Sequence, residues 1–134
     1  MPLKDATPGV WVKAVPSDTG TTDAATVTIP YTGVGYTVRR VTVYNSRILA
    51  TGATANGATA SVSVRGSAGG SGTSIVADAA LTGLSGSTIV LDRTVAATGI
   101  SPVVTDKTLY IRIGTASGVT GSGFDVYISY EPLP

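Results

Sequence analysis

Apolar side chains recur at every second position through most of this chain. Val10, Val12 and Ala14 alternate with Trp11 and Lys13, and Ala25, Val27 and Ile29 alternate with Thr26 and Thr28. Val41 and Val43 alternate with Arg40, Thr42 and Tyr44. The same period runs through Ala60, Val62 and Val64, through Leu109, Ile111 and Ile113, and through Phe124, Val126, Ile128 and Tyr130. A period of two sorts side chains onto opposite faces of a pleated strand, so each run predicts a half-buried β-strand. Ser74–Asp78 and Thr88–Arg93 are apolar on consecutive residues, the pattern of strands buried on both faces. Leu, Glu, Lys, Gln and Met are scarce, whereas Val, Thr, Ile and Tyr, whose branched and aromatic side chains pack well on a pleated surface, are common.

Turn signals separate these runs: Asp18-Thr19-Gly20, Thr32-Gly33-Val34-Gly35, Asn56-Gly57, Gly66–Gly72, Ser85-Gly86 and Gly118–Gly123. Asn56-Gly57 is the strongest hairpin signal, since a two-residue hairpin turn asks both central residues for positive φ. The pattern predicts an all-β, single-domain β-sandwich, jelly-roll-like, with about eight antiparallel strands. Residues 1–9 hold two prolines and no pattern and read as a flexible N-terminal arm before one domain at 10–134. The prolines of Glu131-Pro132-Leu133-Pro134 are expected to end the last strand. The echo between Ser74–Asp78 and Ser87–Asp92 reads as two similar strands, because a solenoid would repeat it many times.

Composition narrows the chemistry. The 134 residues include no His and no Cys. That excludes a Ser-His-Asp triad, a thiol nucleophile, a disulfide framework and an ordinary zinc enzyme site. Net charge is +1 and charged residues make up 13% of the chain, about half the usual ~25%. Such a balance gives no electrostatic footprint for nucleic acid. No apolar run approaches the roughly 20 residues of a membrane helix. The polar start Met1-Pro2-Leu3-Lys4-Asp5 has no signal-peptide h-region, so synthesis in the cytoplasm is expected.

The remaining chemistry-bearing residues are few. The acids are Asp5, Asp18, Asp23, Asp78, Asp92, Asp106, Asp125 and Glu131. Asp78 and Asp92 end similar strands and could face each other as a glycosidase pair would, but Asp at strand ends is ordinary turn chemistry. No Asp-x-Asp-x-Asp cluster marks a calcium loop, and no cofactor or metal is expected. The Gly-rich segment Arg65–Thr73 lacks the Lys and following helix of a phosphate loop. It reads as a flexible inter-strand loop or, with Gly69 and Gly70, as one that orders against a neighbouring subunit. Arg39, Arg40, Arg47 and Arg65 form the densest basic group. Arg40 and Arg65, with Tyr44, are expected to share the polar face of paired strands, either bridging to scattered Asp residues or meeting an acidic partner protein. Among the aromatics, Tyr127 is out of phase with its apolar neighbours and is expected to point outward, while Trp11 lies opposite an apolar face. Trp11, Arg40, Arg65, Gly69, Gly70 and Tyr127 are therefore the candidate interface residues. Tyr31 and Tyr36, flanking a Gly-rich turn, and also Trp11 are candidates for stacking on sugar rings.

From Tyr36 to Tyr130 the chain resembles the small all-β virion proteins that tailed bacteriophages encode near their major capsid genes. The resemblance rests on Val41-Thr42-Val43-Tyr44-Asn45, on Val62-Ser63-Val64-Arg65 with its following Gly66–Thr73 segment, on Asp125-Val126-Tyr127-Ile128-Ser129-Tyr130, and on the Gly/Ser/Thr/Ala-rich texture without His or Cys. It is one of texture and order, and it transfers no site residue. It implies a capsid decoration (cement) protein or head-fibre component, often a jelly roll and often a trimer, on the virion surface with the major capsid protein as partner. It implies binding rather than catalysis. A carbohydrate-binding fibre module and a tail, neck or baseplate component are the alternatives. A physical rationale stands beside it. About a quarter of the chain is Ser or Thr, with one Glu and three Lys. A hydroxyl-covered surface loses little side-chain entropy on packing, and interfaces are depleted in Lys and Glu.

Overall fold

The computed structural model describes residues 10–16, 22–44, 60–84, 88, 90–96, 103–116 and 124–134. The alternating runs become strands β1 (Val10–Ala14), β2 (Thr22–Thr28), β3 (Gly35–Tyr44), β4 (Ser61–Ser67), β5 (Ser71–Ala80), β6 (Val90–Arg93), β7 (Thr108–Thr115) and β8 (Asp125–Leu133). They form two four-stranded sheets, β1-β8-β3-β6 and β2-β7-β4-β5, with every pairing antiparallel. The pairs β1:β8, β2:β7, β3:β6 and β4:β5 are those of a four-strand run folded back on itself and then rolled. The two sheets make the eight-stranded antiparallel β-sandwich the pattern predicts.

The inward phase of each strand fills one core. Val41, Val43, Val126, Ile128 and Tyr130 contribute from one sheet, and Val62, Val64, Leu109, Ile111 and Ile113 from the other. Connections close the ends with Ile29, Leu81, Leu84, Val104 and Phe124, joined by Tyr36 from the start of β3. Tyr36 exchanges main-chain hydrogen bonds with Val104, donating at 3.0 Å and accepting at 2.9 Å. Its phenol donates to the Asp106 carbonyl at 2.7 Å.

Three expectations are corrected. β8 does not stop at its prolines: Pro132 stays in register opposite Tyr36. The reason lies in Tyr36, whose main-chain N–H and C=O are already turned to Val104. The ladder therefore asks Pro132 for no N–H at that position. β5 and β6 are not buried on both faces. They are the outer strands of their sheets, Ala77–Ala80 are exposed, and Val90 is 48% exposed. Consecutive apolar residues alone do not separate an edge strand of small side chains from a central one. Finally, Arg40 on β3 and Arg65 on β4 lie in different sheets and share no polar face. The 1–9 arm, Arg47 and the turn signals at 18–20, 56–57, 85–86 and 118–123 lie outside the described residues.

Candidate functional site

The outward phase of the β1-β8-β3-β6 sheet assembles a two-row grid. One row runs Trp11–Ser129–Arg40 and the next Lys13–Tyr127–Thr42–Asp92, each neighbour set by strand register. A β-bulge between Val38 and Arg40 shapes the first row. It inserts Arg39, so Arg39 and Arg40 are both exposed, and the alternation inward resumes at Val41. Arg39 pairs with Glu131, leaving Arg40 to lean over Ser129.

Arg40 is held in one pose. Its Nε donates to Asp92 Oδ1 at 3.0 Å and its Nη2 donates to Oδ2 at 2.6 Å. Thr42 Oγ1 donates to the same Oδ1 at 2.7 Å. The Arg40 hydrogen bond, with help from Thr42, holds the Asp92 carboxyl below its ordinary range, and the carboxylate raises Arg40 in turn. This fork geometry fixes a planar guanidinium on an exposed surface, where a lone arginine would sample many rotamers. On the other side, Lys13 lies 3.8 Å from Asp125 and 5.6 Å from the centre of the Tyr127 ring.

Between these groups lies a shallow groove of about 310 Å³ lined by Trp11, Arg40, Thr42 and Tyr127. Trp11 remains 46% exposed. Ser129 stands in register between Trp11 and Arg40, is fully buried, and its hydroxyl has no hydrogen-bond partner. Its small side chain leaves room for the two larger neighbours to lie over this position.

The structure thus brings three of the candidate interface residues, Trp11, Arg40 and Tyr127, onto one surface. Arg65, Gly69 and Gly70 belong to the other sheet. Arg65 is half-buried opposite Tyr110 and Ser74, with its Nε buried and unpartnered. Gly69 and Gly70, with φ of 73° and 76°, make the tight turn Ala68–Gly70 where β4 passes into β5. This turn docks on its own molecule. The Gly69 N–H donates to Asp23 Oδ2 at 2.8 Å, and Arg112 donates to Asp23 Oδ1 at 3.4 Å. Gly70 packs on the Arg112 side chain.

The sugar-stacking reading of Tyr36 is corrected. Tyr36 is 0% exposed, with its ring held between Tyr31 and Tyr130 at centroid distances of 5.3 and 5.7 Å. No ring face is left for a ligand. Tyr31 is half-buried, and its ring is capped by the Lys107 ammonium at 3.7 Å. Asp78 and Asp92 do not act as a facing pair: Asp92 holds Arg40, and Asp78 lies over Gly114 and Ser61. No group of three or more Asp or Glu that could hold a metal ion occurs among the described residues. No helix among them is long and apolar enough to cross a membrane.

Sequence reasoning did not single out Thr42, Asp92 as the anchor of Arg40, or Ser129. The signal for Ser129 was present: a small residue in the outward phase between Ile128 and Tyr130.

No family model and no curated protein matches the chain. Among solved structures, the capsid asymmetric unit of cyanophage Pam1 contains a similar chain. The identity is 16% and the TM-score 0.42, with 94% of this chain and 87% of that chain covered.

Proposed function

We propose that this protein is a structural component of a tailed-bacteriophage virion, a decoration protein that seats on the outer capsid shell and stabilises it. The observation that carries the reading is the groove face of the β1-β8-β3-β6 sheet. Trp, Tyr and Arg are the side chains most enriched at interface hot spots. Here one of each converges on a rigid sheet, with Arg40 fixed in advance by Asp92. Preorganisation of this kind lowers the entropy cost of association. The low-charge, hydroxyl-rich composition and the textural resemblance to phage virion proteins point the same way. The major capsid protein is the partner, and assembly of the protein as a trimer would repeat the groove around a symmetry axis of the shell. The work done is binding, with no bond made or broken.

Co-sedimentation tests the reading. The purified protein should pellet with capsids assembled without it and raise their resistance to heat. Failure to bind, with capsid stability unchanged, would sink it. A saccharide ligand is the second reading, now confined to Trp11, the exposed aromatic beside the Arg40–Asp92 pair. A glycan-array signal lost on Trp11→Ala, with capsid binding absent, would favour it.

A further inference from the structure

The side of the sandwich between β5 and β6 carries a second recess, of about 250 Å³, lined by Ala77, Ala79, Arg93, Thr94 and Ala96. β5 and β6 are outer strands of opposite sheets. Arg93 follows the inward phase of Leu91, opposite Val41, and its guanidinium crosses the gap to the other sheet.

The hydrogen bonding along this seam is poor on both sides. The Ile75 carbonyl accepts a good bond from the Ala96 N–H, at 2.8 Å. The carbonyls two and four residues on, Ala77 and Ala79, accept from Arg93 Nη2 at 3.4 Å each, and Ala80 accepts from Nη1 at 3.5 Å. Those lengths exceed the roughly 2.7–3.2 Å of a sound N–H···O bond. Arg93 Nε is buried and has no partner. Arg39, Arg40 and Arg112 each hold a carboxylate, whereas among the described residues Arg93 hydrogen-bonds to main-chain oxygens and feels the Asp78 carboxylate without a hydrogen bond to it. Ala77, Ala79 and Ala80 are exposed and carry small side chains, and among the described residues Asp78 and Arg93 are the charged groups at this edge.

We propose that the seam is a strand-addition site: the free edge of β5 takes an extended segment of a partner protein whose acidic side chain enters the recess against Arg93. The incoming main-chain N–H groups would replace the long Arg93 bonds to Ala77 and Ala79 with ladder bonds of about 2.9 Å. The freed guanidinium then meets the carboxylate side on, through two parallel hydrogen bonds. The alanine methyls around the recess leave room for the short stem of Asp or Glu. A neutral segment would satisfy the edge but leave the guanidinium with only the unbonded attraction of Asp78, so the two-bond pair with an incoming acid sets the selectivity. This site is separate from the Trp11 groove and does not depend on the capsid reading.

The test uses the full chain, labelled with ¹⁵N, and two synthetic peptides. One is acetyl-Thr-Val-Thr-Glu-Thr-Val-Thr-amide; the other has Gln in place of Glu. The Glu peptide should give saturable shifts confined to the amides of Ala77–Ala80 and Thr94–Ala96. The Gln peptide should bind about tenfold more weakly, the loss of one charge-assisted pair. Arg93→Met should erase that difference, and Arg93→Lys, which keeps the charge but loses the fork, should restore part of it. The wild-type comparison of the two peptides stands even if a variant folds poorly. Equal affinity for both peptides, shifts elsewhere, or no saturable shift would overturn the proposal. Concentration-dependent protection of Ala77–Ala80 without peptide would assign the edge to a second copy of the chain and overturn it too.

Discussion

Two tyrosines make the same hydrogen bond in different surroundings, and comparing them measures what burial is worth in this fold. Tyr36 is fully buried and donates its phenolic proton to the Asp106 carbonyl at 2.7 Å. Tyr31, half-buried beside it, donates to the Thr105 carbonyl at 2.6 Å from an exposed position. Tyr36→Phe keeps the ring but leaves a part-buried carbonyl without its donor. That should cost about 1–2 kcal/mol, or a Tm fall of about 3–8 °C for a domain of this size. Tyr31→Phe hands its carbonyl to water and should cost less than about 0.5 kcal/mol. Calorimetry or chemical denaturation at pH 7 reads both. A second arm uses alkaline pH. Burial, then the nearby Asp106 carboxylate, raises the Tyr36 phenol above its ordinary value of 10.0. A group raised on folding contributes fully below its unfolded pKa and loses that contribution as pH climbs toward the folded value. Wild type should therefore lose about 1.4 kcal/mol per pH unit above 10 at this site, a loss the Phe variant lacks. The gap between the two should close near pH 11. Equal costs for the two variants at pH 7, or a gap unchanged at pH 11, would refute the reasoning.

Other outcomes follow from the same geometry. Gly35→Ala should be among the most damaging small changes. Gly35 has φ +151°, and a Cβ there would stand 2.6 Å from the Val104 carbonyl oxygen. Displacing the Tyr36–Val104 bridge should cost about 3 kcal/mol or more in denaturant titration. Gly69→Ala meets no atom within 4 Å at φ +73°, so it should cost only the left-handed backbone term of about 1–2 kcal/mol. Acid should release Arg40. Asp92 is held low by Arg40, so the pair persists above the ordinary carboxylate value and is lost as pH falls below it. The Arg40 Nε–H resonance should move in that acidic window, and Asp92→Asn should abolish the movement. If the groove face meets the capsid as proposed, Ser129→Leu should overpack the buried position between Trp11 and Arg40, displace both side chains and weaken capsid binding at least as much as Trp11→Ala, with far-UV circular dichroism unchanged.

The strands were legible because the period-two pattern is a direct imprint of one buried face. β1, β4, β7 and β8 begin within a residue or two of where alternation predicts, and the outward placement of Trp11 and Tyr127 follows from phase alone. Sheet membership was not legible. Phase says that Arg40 and Arg65 both face outward, but which sheet each strand joins is decided by how the chain winds. Arg65 and Arg40 therefore separated, while Trp11, at the opposite end of the sequence from Tyr127, came to lie beside it. The bulge that exposes both Arg39 and Arg40 is likewise a property of pairing. β5 and β6 were misread because small and branched residues occur in edge and central strands alike. Tyr36 was misplaced because the flanking glycines suggested an exposed turn. The pairing of Gly35 with Leu133 and of Tyr36 with Pro132 and Val104 shows that β3 already begins at Gly35, and it carries the ring inward.

The account turns on which surface meets the shell. Cryo-electron microscopy of particles to which the purified protein has been restored reads this directly. The account predicts sandwich-shaped density on the outer capsid, with the β1-β8-β3-β6 sheet against the shell and Trp11 and Tyr127 buried in the contact. Density on the tail or baseplate, or a particle-bound sandwich with that sheet turned to solvent, would contradict it.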